Sequence, residues 1–431
     1  MATGLSALTT GGTLLAVFLT FTASAAAQTT SPALTTLYSF AQDPNDGSNP
    51  NAIVIGSGGV LYGTTEFGGT ARLGAVFALT PPASPGGPWS ETVLYSFMGV
   101  SDGVQPNSLT IGPGGVLYGT SGGGSLNFGA VFALVPPALP AGRWSKIVLH
   151  TFAGGPTDGA GPSALATGRD GVLYGTTLSG GTGSCDLGCG TVFSLRPPLS
   201  AGQAWSETIL YFGNFAGGSI PVGVVIGGDG VLYGATYEDG TGAAGTLFSL
   251  TPPVSAGGPW SQAVLHDFAG GGDGVKPYAN VVIGSGGTLY GTTEFGGTQG
   301  HGTVFSLTPP TSPGGPWTET VLNSFPSHHH DGGGPIAGVV IGRGGVLYGA
   351  TPYGGSSLGG TVFALTAPAS PGGPWSETVL YDFSGVPNGN KPDALAISRD
   401  GVLYGTTYFG GIASCARSGS LGCGTVFSLK P

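Results

Sequence analysis

Charged residues are scarce in this chain. They make up only 7% of its 431 residues, against about 25% in an ordinary globular protein. Long surface helices are excluded, because their solvent-facing sides need Lys, Glu and Arg. Basic residues are the scarcest: 11 Lys and Arg against 21 Asp and Glu give a net charge of −10. That balance argues against a nucleic-acid partner.

Long apolar runs are also lacking, apart from one near the N-terminus. Thr13 to Phe21 is apolar and is followed by small residues up to Ala27. The run is shorter than the roughly 20 residues that span a bilayer, and it fits a signal peptide with an A-x-A cleavage site. We therefore predict a signal peptide over residues 1–27 and a secreted protein, extracellular or periplasmic, with no membrane span once the signal is removed.

Glycine is abundant, with 87 residues, and it does not recur at every third position, so a collagen helix is excluded. Apolar residues make up 40% of the chain and come in short, evenly spaced runs. This pattern argues against disorder. It favours a structure built from many short strands and turns.

One unit of about 57 residues recurs along the chain. The string LYG occurs seven times. Each copy lies among four short runs, which we call a (as in Ala52–Ile55), b (VLYGTT), c (TVFSL) and d (WSETVLYSF). These runs are rich in Val, Ile, Tyr, Phe and Thr and are separated by Gly, Pro and Asp, which indicates strands and turns. The tyrosines of LYG are Tyr62, Tyr118, Tyr174, Tyr233, Tyr290, Tyr348 and Tyr404.

Four strands per repeat, in seven copies, predict an all-β, seven-bladed β-propeller of four-stranded blades. A β-solenoid is the alternative, but its coils are normally shorter. The order of the strands distinguishes the two. A lone d-type run, Leu34 to Phe40, precedes the first repeat, and the last repeat ends after its c run. We predict that this N-terminal strand closes the last blade of one propeller domain over residues 28–431, because pairing the two ends covers both free edges.

The repeated motif DGxxP…GVLYGTT…GTVFSL…W-[ST]-E-T-V-L-Y resembles the GloVer-type tandem repeat family of exported bacterial proteins. Each unit also resembles, less closely, a kelch blade. The resemblance covers essentially all of the chain after the signal peptide. It implies export and a repeat architecture, and it implies no catalytic residue.

Residues that recur from unit to unit are interpreted as structural. The aromatic residues of runs b, c and d are expected to pack between blades. The DGxxP aspartates would form Asx-turns, although a ring of carboxylates around the central opening, binding a cation or sugar hydroxyls, is the alternative. The glutamates of run d are expected to be exposed charges that protect an edge. The aspartates are Asp46, Asp102, Asp158, Asp273 and Asp331, and the glutamates are Glu91, Glu207, Glu319 and Glu377.

Candidate ligand-binding residues are those that do not repeat, in the b–c loops, which share one face of a propeller with the d–a loops. Carboxylates beside aromatic rings suit sugars, which offer apolar C–H faces and hydroxyl groups. The expected function is a non-catalytic binding or scaffold role toward a glycan or a protein, with a polysaccharide-active enzyme, a glycoside hydrolase or lyase, as the alternative. We expect a monomer without a cofactor. The candidates are Glu66, Phe67, Tyr237, Glu238, Asp239, Glu294, Phe295, Tyr353, Tyr408 and Phe409.

The four cysteines form two local pairs just before run c of the third and seventh units. Paired cysteines in an exported chain predict disulfides, here Cys185–Cys189 and Cys415–Cys423. Metal binding is the alternative, but no histidine is near either pair in sequence. The run His328–His330 beside Asp331 could also bind a metal. Adjacent loop residues rarely point the same way, so we predict no metal site.

Overall fold

The computed structural model describes residues 32–41, 45–99, 101–139, 142–183, 185, 187–200, 202–214, 217–255, 257–312, 314–326, 332–370, 372–411, 415 and 421–431. The signal peptide predicted over residues 1–27, the run His328–His330 and Asp331 lie outside these residues. Pro32–Pro431 forms one compact unit.

Seven antiparallel four-stranded sheets form the blades of a β-propeller, as predicted. Within each blade, strand a is innermost and strand d outermost. Blade 1 contains β2 (Gly47–Ile55), β3 (Leu61–Gly68), β4 (Ala75–Thr80) and β5 (Ser90–Ser96). Blade 2 contains β6 (Val104–Ile111), β7 (Leu117–Gly122), β8 (Ala130–Val135) and β9 (Ser145–Thr151). Blade 3 contains β10 (Gly159–Thr167), β11 (Leu173–Gly180), β12 (Thr191–Arg196) and β13 (Ser206–Phe212). Blade 4 contains β14 (Ser219–Ile226), β15 (Leu232–Glu238), β16 (Thr246–Thr251) and β17 (Ser261–Asp267).

The inner strands of the next two blades are short, because each has one extra residue between its proline and the a–b turn. Blade 5 contains β18 (Val282–Ile283), β19 (Leu289–Thr293), β20 (Thr303–Thr308) and β21 (Thr318–Ser324). Blade 6 contains β22 (Val340–Ile341), β23 (Leu347–Thr351), β24 (Thr361–Thr366) and β25 (Ser376–Asp382). Blade 7 contains β26 (Asn390–Ile397), β27 (Leu403–Phe409), β28 (Thr425–Leu429) and β1 (Leu34–Ser39). The described residues contain no α-helix, and their only helical turns are 3₁₀ turns at Ser57–Gly59, Pro113–Gly115, Gly271–Asp273, Ser285–Gly287 and Arg343–Gly345.

The N-terminal strand closes the last blade, which confirms the predicted closure. β1 pairs with β28, with Leu34 opposite Leu429 and Ser39 opposite Thr425. The Phe40 N–H then donates to the Gly424 carbonyl at 3.0 Å. Both edges that would otherwise be open are therefore paired.

Aromatic packing fills the spaces between blades, as predicted. The Phe of each strand c is buried, and the glycine of LYG makes room for it: a Cβ on Gly63 would lie 2.3 Å from Phe77 Cζ. The Trp of a blade packs edge-on against the LYG tyrosine of the preceding blade. For Trp144 and Tyr62 the ring centroids are 6.0 Å apart. The same contact between Trp89 and Tyr404, at 6.1 Å, joins blade 1 to blade 7.

A backbone hydrogen bond joins neighbouring blades at every boundary. The residue before the proline of each strand a has a positive φ, and its N–H donates to a carbonyl just before strand c of the preceding blade. This turn aims the residue's side chain at the neighbouring b–c loop. The bonds are Asn49–Cys423, Gln105–Leu73, Gly161–Phe128, Ile220–Cys189, Lys276–Ala244, Gly334–His301 and Lys391–Gly359, at 2.7–2.8 Å.

Two predictions about repeated polar residues are wrong in detail. The described DGxxP aspartates hold a turn, but not through a bond two residues on. Asp158 accepts from the N–H groups of Ala153, five residues earlier, and of Gly159, the next residue, both at 2.6 Å, so it closes the d–a loop rather than an Asx-turn. The glutamates of strand d are not exposed edge charges. Glu91 and Glu207 each have a buried Oε1, because the outer strand turns them toward the d–a loop at the blade boundary.

Candidate ligand-binding site

The seven inner strands surround a cavity of about 1020 Å³ on the axis of the propeller. The residue after the proline of each strand a lines it, so all seven blades contribute one side chain. The cavity opens among the ends of the b strands, on the face of the b–c and d–a loops. The seven residues are Asn51, Asn107, Ser163, Val222, Tyr278, Ile336 and Asp393.

Three of the ten candidate ligand-binding residues line this cavity: Glu66 at the end of β3, Tyr237 at the end of β15 and Tyr408 at the end of β27. The other candidates lie beside them or on the b–c loops of blades 5 and 6, and they are not part of the described lining. Phe295 and Tyr353 are about two-fifths exposed, at 43% and 42%. The outer group is Phe67, Glu238, Asp239, Glu294, Phe295, Tyr353 and Phe409.

Glu66 is held in place by two hydrogen bonds across blade boundaries. Tyr408 Oη donates to Glu66 Oε2 at 2.5 Å, and Gln105 Nε2 donates to Glu66 Oε1 at 3.1 Å. Burial and the nearby Glu66 carboxylate raise the pKa of Asp393 to about 7. This part of the cavity therefore offers one fixed hydrogen-bond acceptor and one carboxyl group that changes protonation near neutral pH.

Tyr237 is fixed on the opposite part of the rim. Its hydroxyl donates to Glu294 Oε2 at 2.9 Å, and the Lys276 ammonium lies 4.5 Å from the centre of its ring. Lys276 Nζ also donates to Glu238 Oε1 at 3.0 Å. The Tyr237 and Tyr278 rings meet edge to face, with centroids 5.6 Å apart. Two aromatic rings are thus held at the cavity wall.

The sequence reasoning missed Gln105, Tyr278, Asn280 and Asp393, which all line the cavity. Gln105, Tyr278 and Asp393 stand directly before or after the DGxxP proline, where the residue type varies from unit to unit. That variation within a constant motif is the signal that could have revealed these three.

A second cavity of about 600 Å³ lies between blades 2 and 3 and shares Gly122 and Gly161 with the first. Phe128 lines it and is 46% exposed. Asn127 and Ser179 contribute polar groups, and glycines form most of the remaining wall. We call this second cavity the groove.

Among the described residues, His150, Asp158 and Glu207 form one group of potential metal ligands, with donor atoms within 4.8 Å of one another. His150 Nε2 lies 3.7 Å from Asp158 Oδ2 and 3.5 Å from Glu207 Oε2. Burial lowers the pKa of His150, but the two carboxylates raise it more, so the net shift is upward. His150, Asp158 and Glu207 thus form a polar cluster at the blade boundary, and Lys146 beside Asp102 occupies the preceding boundary.

Both predicted disulfides are confirmed. Cys185 bonds Cys189 at 2.00 Å, and Cys415 bonds Cys423 at 2.22 Å. Each closes the loop that leads into strand c of its blade. No helix of the described residues is long and apolar enough to cross a membrane.

Residues 19–203 and 183–427 match the Gloeobacter/Verrucomicrobia repeat. The chain belongs to this repeat family. The match confirms the resemblance to the GloVer-type repeat noted in the sequence. No curated protein matches the chain.

Two solved structures named as the extracellular domain of a one-component and of a hybrid two-component system from B. thetaiotaomicron are similar to this propeller. They are 10% identical to it, with TM-scores of 0.51 and 0.52, and the alignments cover 93% and 92% of this chain and 40% of theirs. The chain thus spans well under half of those proteins. A gluconolactonase from Xanthomonas campestris is 14% identical, with a TM-score of 0.42, over 93% of this chain and 89% of its own. At such identities the similarity concerns the fold alone.

Proposed function

We propose that this protein is a secreted, non-catalytic propeller that binds a glycan at the mouth of its central cavity. The observation that carries the proposal is the convergence of Glu66, Tyr237 and Tyr408 with Asn51 and Asn107 in one cavity. Aromatic rings offer surfaces for the C–H faces of sugars, while amides and carboxylates bond their hydroxyl groups. The two disulfides and the predicted signal peptide support secretion.

The charge of the site favours a neutral sugar over an anionic one. Glu66 and Asp393 are the charged residues of the described lining. Two lysines lie at the rim: Lys276 is engaged by Glu238 at 3.0 Å and lies over the Tyr237 ring, and Lys391 lies over the Tyr353 and Phe409 rings. In the described lining itself an anionic sugar would meet two carboxyl groups and no Lys or Arg, which is unfavourable.

A glycan-array screen followed by titration calorimetry tests the proposal. We expect wild type to bind neutral glycans, and Tyr237→Ala and Glu66→Gln each to weaken binding at least tenfold, because each removes a group fixed in the cavity. Val254→Ala is the control, since Val254 is fully exposed in a loop of the opposite face. Wild type that binds no glycan, or cavity variants that bind as wild type does, would refute the proposal.

A polysaccharide-active enzyme is the second candidate, and Asp393 is the observation that favours it. A carboxyl group with a pKa near 7 can donate and accept a proton at neutral pH, and Glu66 is a second carboxylate in the same cavity, as glycoside hydrolysis requires. Release of reducing ends from bound polysaccharides, abolished in Asp393→Asn, would favour catalysis. Binding without such release would favour the non-catalytic role.

A further inference from the structure

Two recurring positions lie at the rim of the central cavity at each blade boundary. One is the residue that follows the Thr or Ser that recurs at the end of strand b. The other is the residue before the proline of the next strand a, which points back toward it. In order from the boundary of blades 1 and 2, the pairs are Glu66 and Gln105, Gly122 and Gly161, Leu178 and Ile220, Tyr237 and Lys276, Glu294 and Gly334, Pro352 and Lys391, and Tyr408 and Asn49. Only between blades 2 and 3 are both residues glycine.

The fold does not require these two glycines. Gly122 has no positive φ, and a Cβ there would meet its nearest neighbour, the Val104 carbonyl, at 3.5 Å, an ordinary contact. Gly161 has a φ of 66°, but Gln105 and Lys276 occupy the same position with φ of 49° and 59°. A Cβ on Gly161 would lie 3.8 Å from Leu178. Backbone conformation therefore does not explain why this part of the rim carries no side chains.

The opening leads into the groove. Gly122 and Gly161 line both the groove and the central cavity, and neither has a side chain that would separate the two. Phe128 offers a half-exposed ring, Asn127 an amide and Ser179 a hydroxyl. The described lining of the groove contains no charged residue. These features suit a neutral, hydroxyl-rich chain with apolar C–H faces.

We propose that the groove holds further sugar units of a neutral glycan chain that enters the central cavity, so that the protein selects oligosaccharides over single sugars. This inference rests on the proposed function. It adds the ligand class, a chain of several units, and the direction in which that chain leaves the cavity, between blades 2 and 3.

A transplanted side-chain pair tests the groove. The double variant Gly122→Glu with Gly161→Gln reproduces the Glu66 and Gln105 pair of the preceding boundary, whose side chains are 3.1 Å apart, and should close the opening. Titration calorimetry would use cello-, xylo- and manno-oligosaccharides of increasing length. Wild-type affinity for the series that binds should rise at least tenfold from the disaccharide to the longest chain. The double variant should lose that rise, so that its affinity no longer depends on chain length.

Gly228→Gln is the matched control, because Gly228 lies in an a–b turn on the opposite face with nothing within 4 Å of its Cβ position. It should keep the wild-type dependence on chain length. Melting temperatures of all variants would verify folding. A double variant that melts like wild type and still gains affinity with chain length would contradict the proposed role of the groove while leaving the proposed function intact. Wild type that binds none of the three series would overturn both.

Discussion

Lys146 places a cation inside the boundary between blades 1 and 2, at the strand position that Glu91 and Glu207 occupy in other blades. Its side chain is 4% exposed, and Nζ lies 2.9 Å from Asp102 Oδ1 and 4.5 Å from the centre of the Phe97 ring. Burial would raise the pKa of Asp102, but hydrogen bonds from Tyr95, the Met98 N–H and Lys146 together lower it. The carboxylate is thus stabilised as an anion in a largely buried site.

Lys146→Met should lower the free energy of unfolding by about 3 kcal/mol, because it leaves the Asp102 charge in a largely buried site without its cation. Lys276→Met is the matched control. Its pair with Glu238, also at 3.0 Å, is 30% and 43% exposed, and an exposed pair contributes under about 1 kcal/mol. Urea denaturation at neutral pH measures both. Equal losses in the two variants would show that burial does not set the strength of the Lys146 pair.

At the scale of strands and loops, each blade boundary repeats one polar arrangement with different residues. A residue of strand d, the DGxxP position and a residue of the next strand d meet there. They are Tyr95, Asp102 and Lys146 at one boundary and His150, Asp158 and Glu207 at the next. Where no cation is present, two acids must share the site. Burial, and to a lesser degree Asp46, raise the pKa of Glu91 to about 8.

The raised pKa of Glu91 predicts a loss of stability at alkaline pH. The group binds a proton more tightly in the folded chain than in the unfolded one, so its stabilising effect is complete below about pH 4.5 and is lost as the pH rises through 8. Burial also raises the pKa of Glu319 to about 7, with the same sign. Glu91→Gln should therefore flatten the decline in melting temperature between pH 6 and 9.

Gln262 serves as the reciprocal test, because it occupies the same position in blade 4 and carries no charge. Gln262→Glu should steepen the decline in melting temperature over that pH range. Differential scanning fluorimetry across the range measures both variants. If Glu91→Gln keeps the wild-type slope, the Glu91 carboxyl group does not hold its proton at the blade boundary.

The strands were predictable from the sequence, whereas the polar boundary was not. Runs such as LYGTT and TVFSL indicate strands from their local composition alone, because β-branched and aromatic residues lie between Gly-rich turns. Glu91 stands in a run of alternating polar and apolar residues, which indicates one solvent-exposed face. That face is covered by the d–a loop at the blade boundary, an arrangement that depends on packing between repeats. The cavity was missed in part for the same reason. Asp393 lines it only because seven inner strands meet around one axis, and a single repeat does not show that arrangement.

At the scale of the whole molecule, closure of the ring depends on one short N-terminal strand. β1 joins a blade whose other three strands lie at the far end of the chain. Phe40 follows β1, is fully buried, and packs edge-on against Phe77 of blade 1, with centroids 5.1 Å apart. The strand therefore completes blade 7 by hydrogen bonding and joins blade 7 to blade 1 by packing.

Phe40→Ala tests this closure against an internal reference. Phe97 occupies the same repeat position at the boundary of blades 1 and 2, is equally buried, and meets Phe132 edge-on at 5.3 Å. If the ring is closed, each substitution should cost about 3–5 kcal/mol, since each leaves a similar cavity between two blades. Urea denaturation of both variants beside wild type gives the comparison. A Phe40→Ala variant as stable as wild type, beside a strongly destabilised Phe97→Ala variant, would mean that the N-terminal strand does not close the propeller in solution.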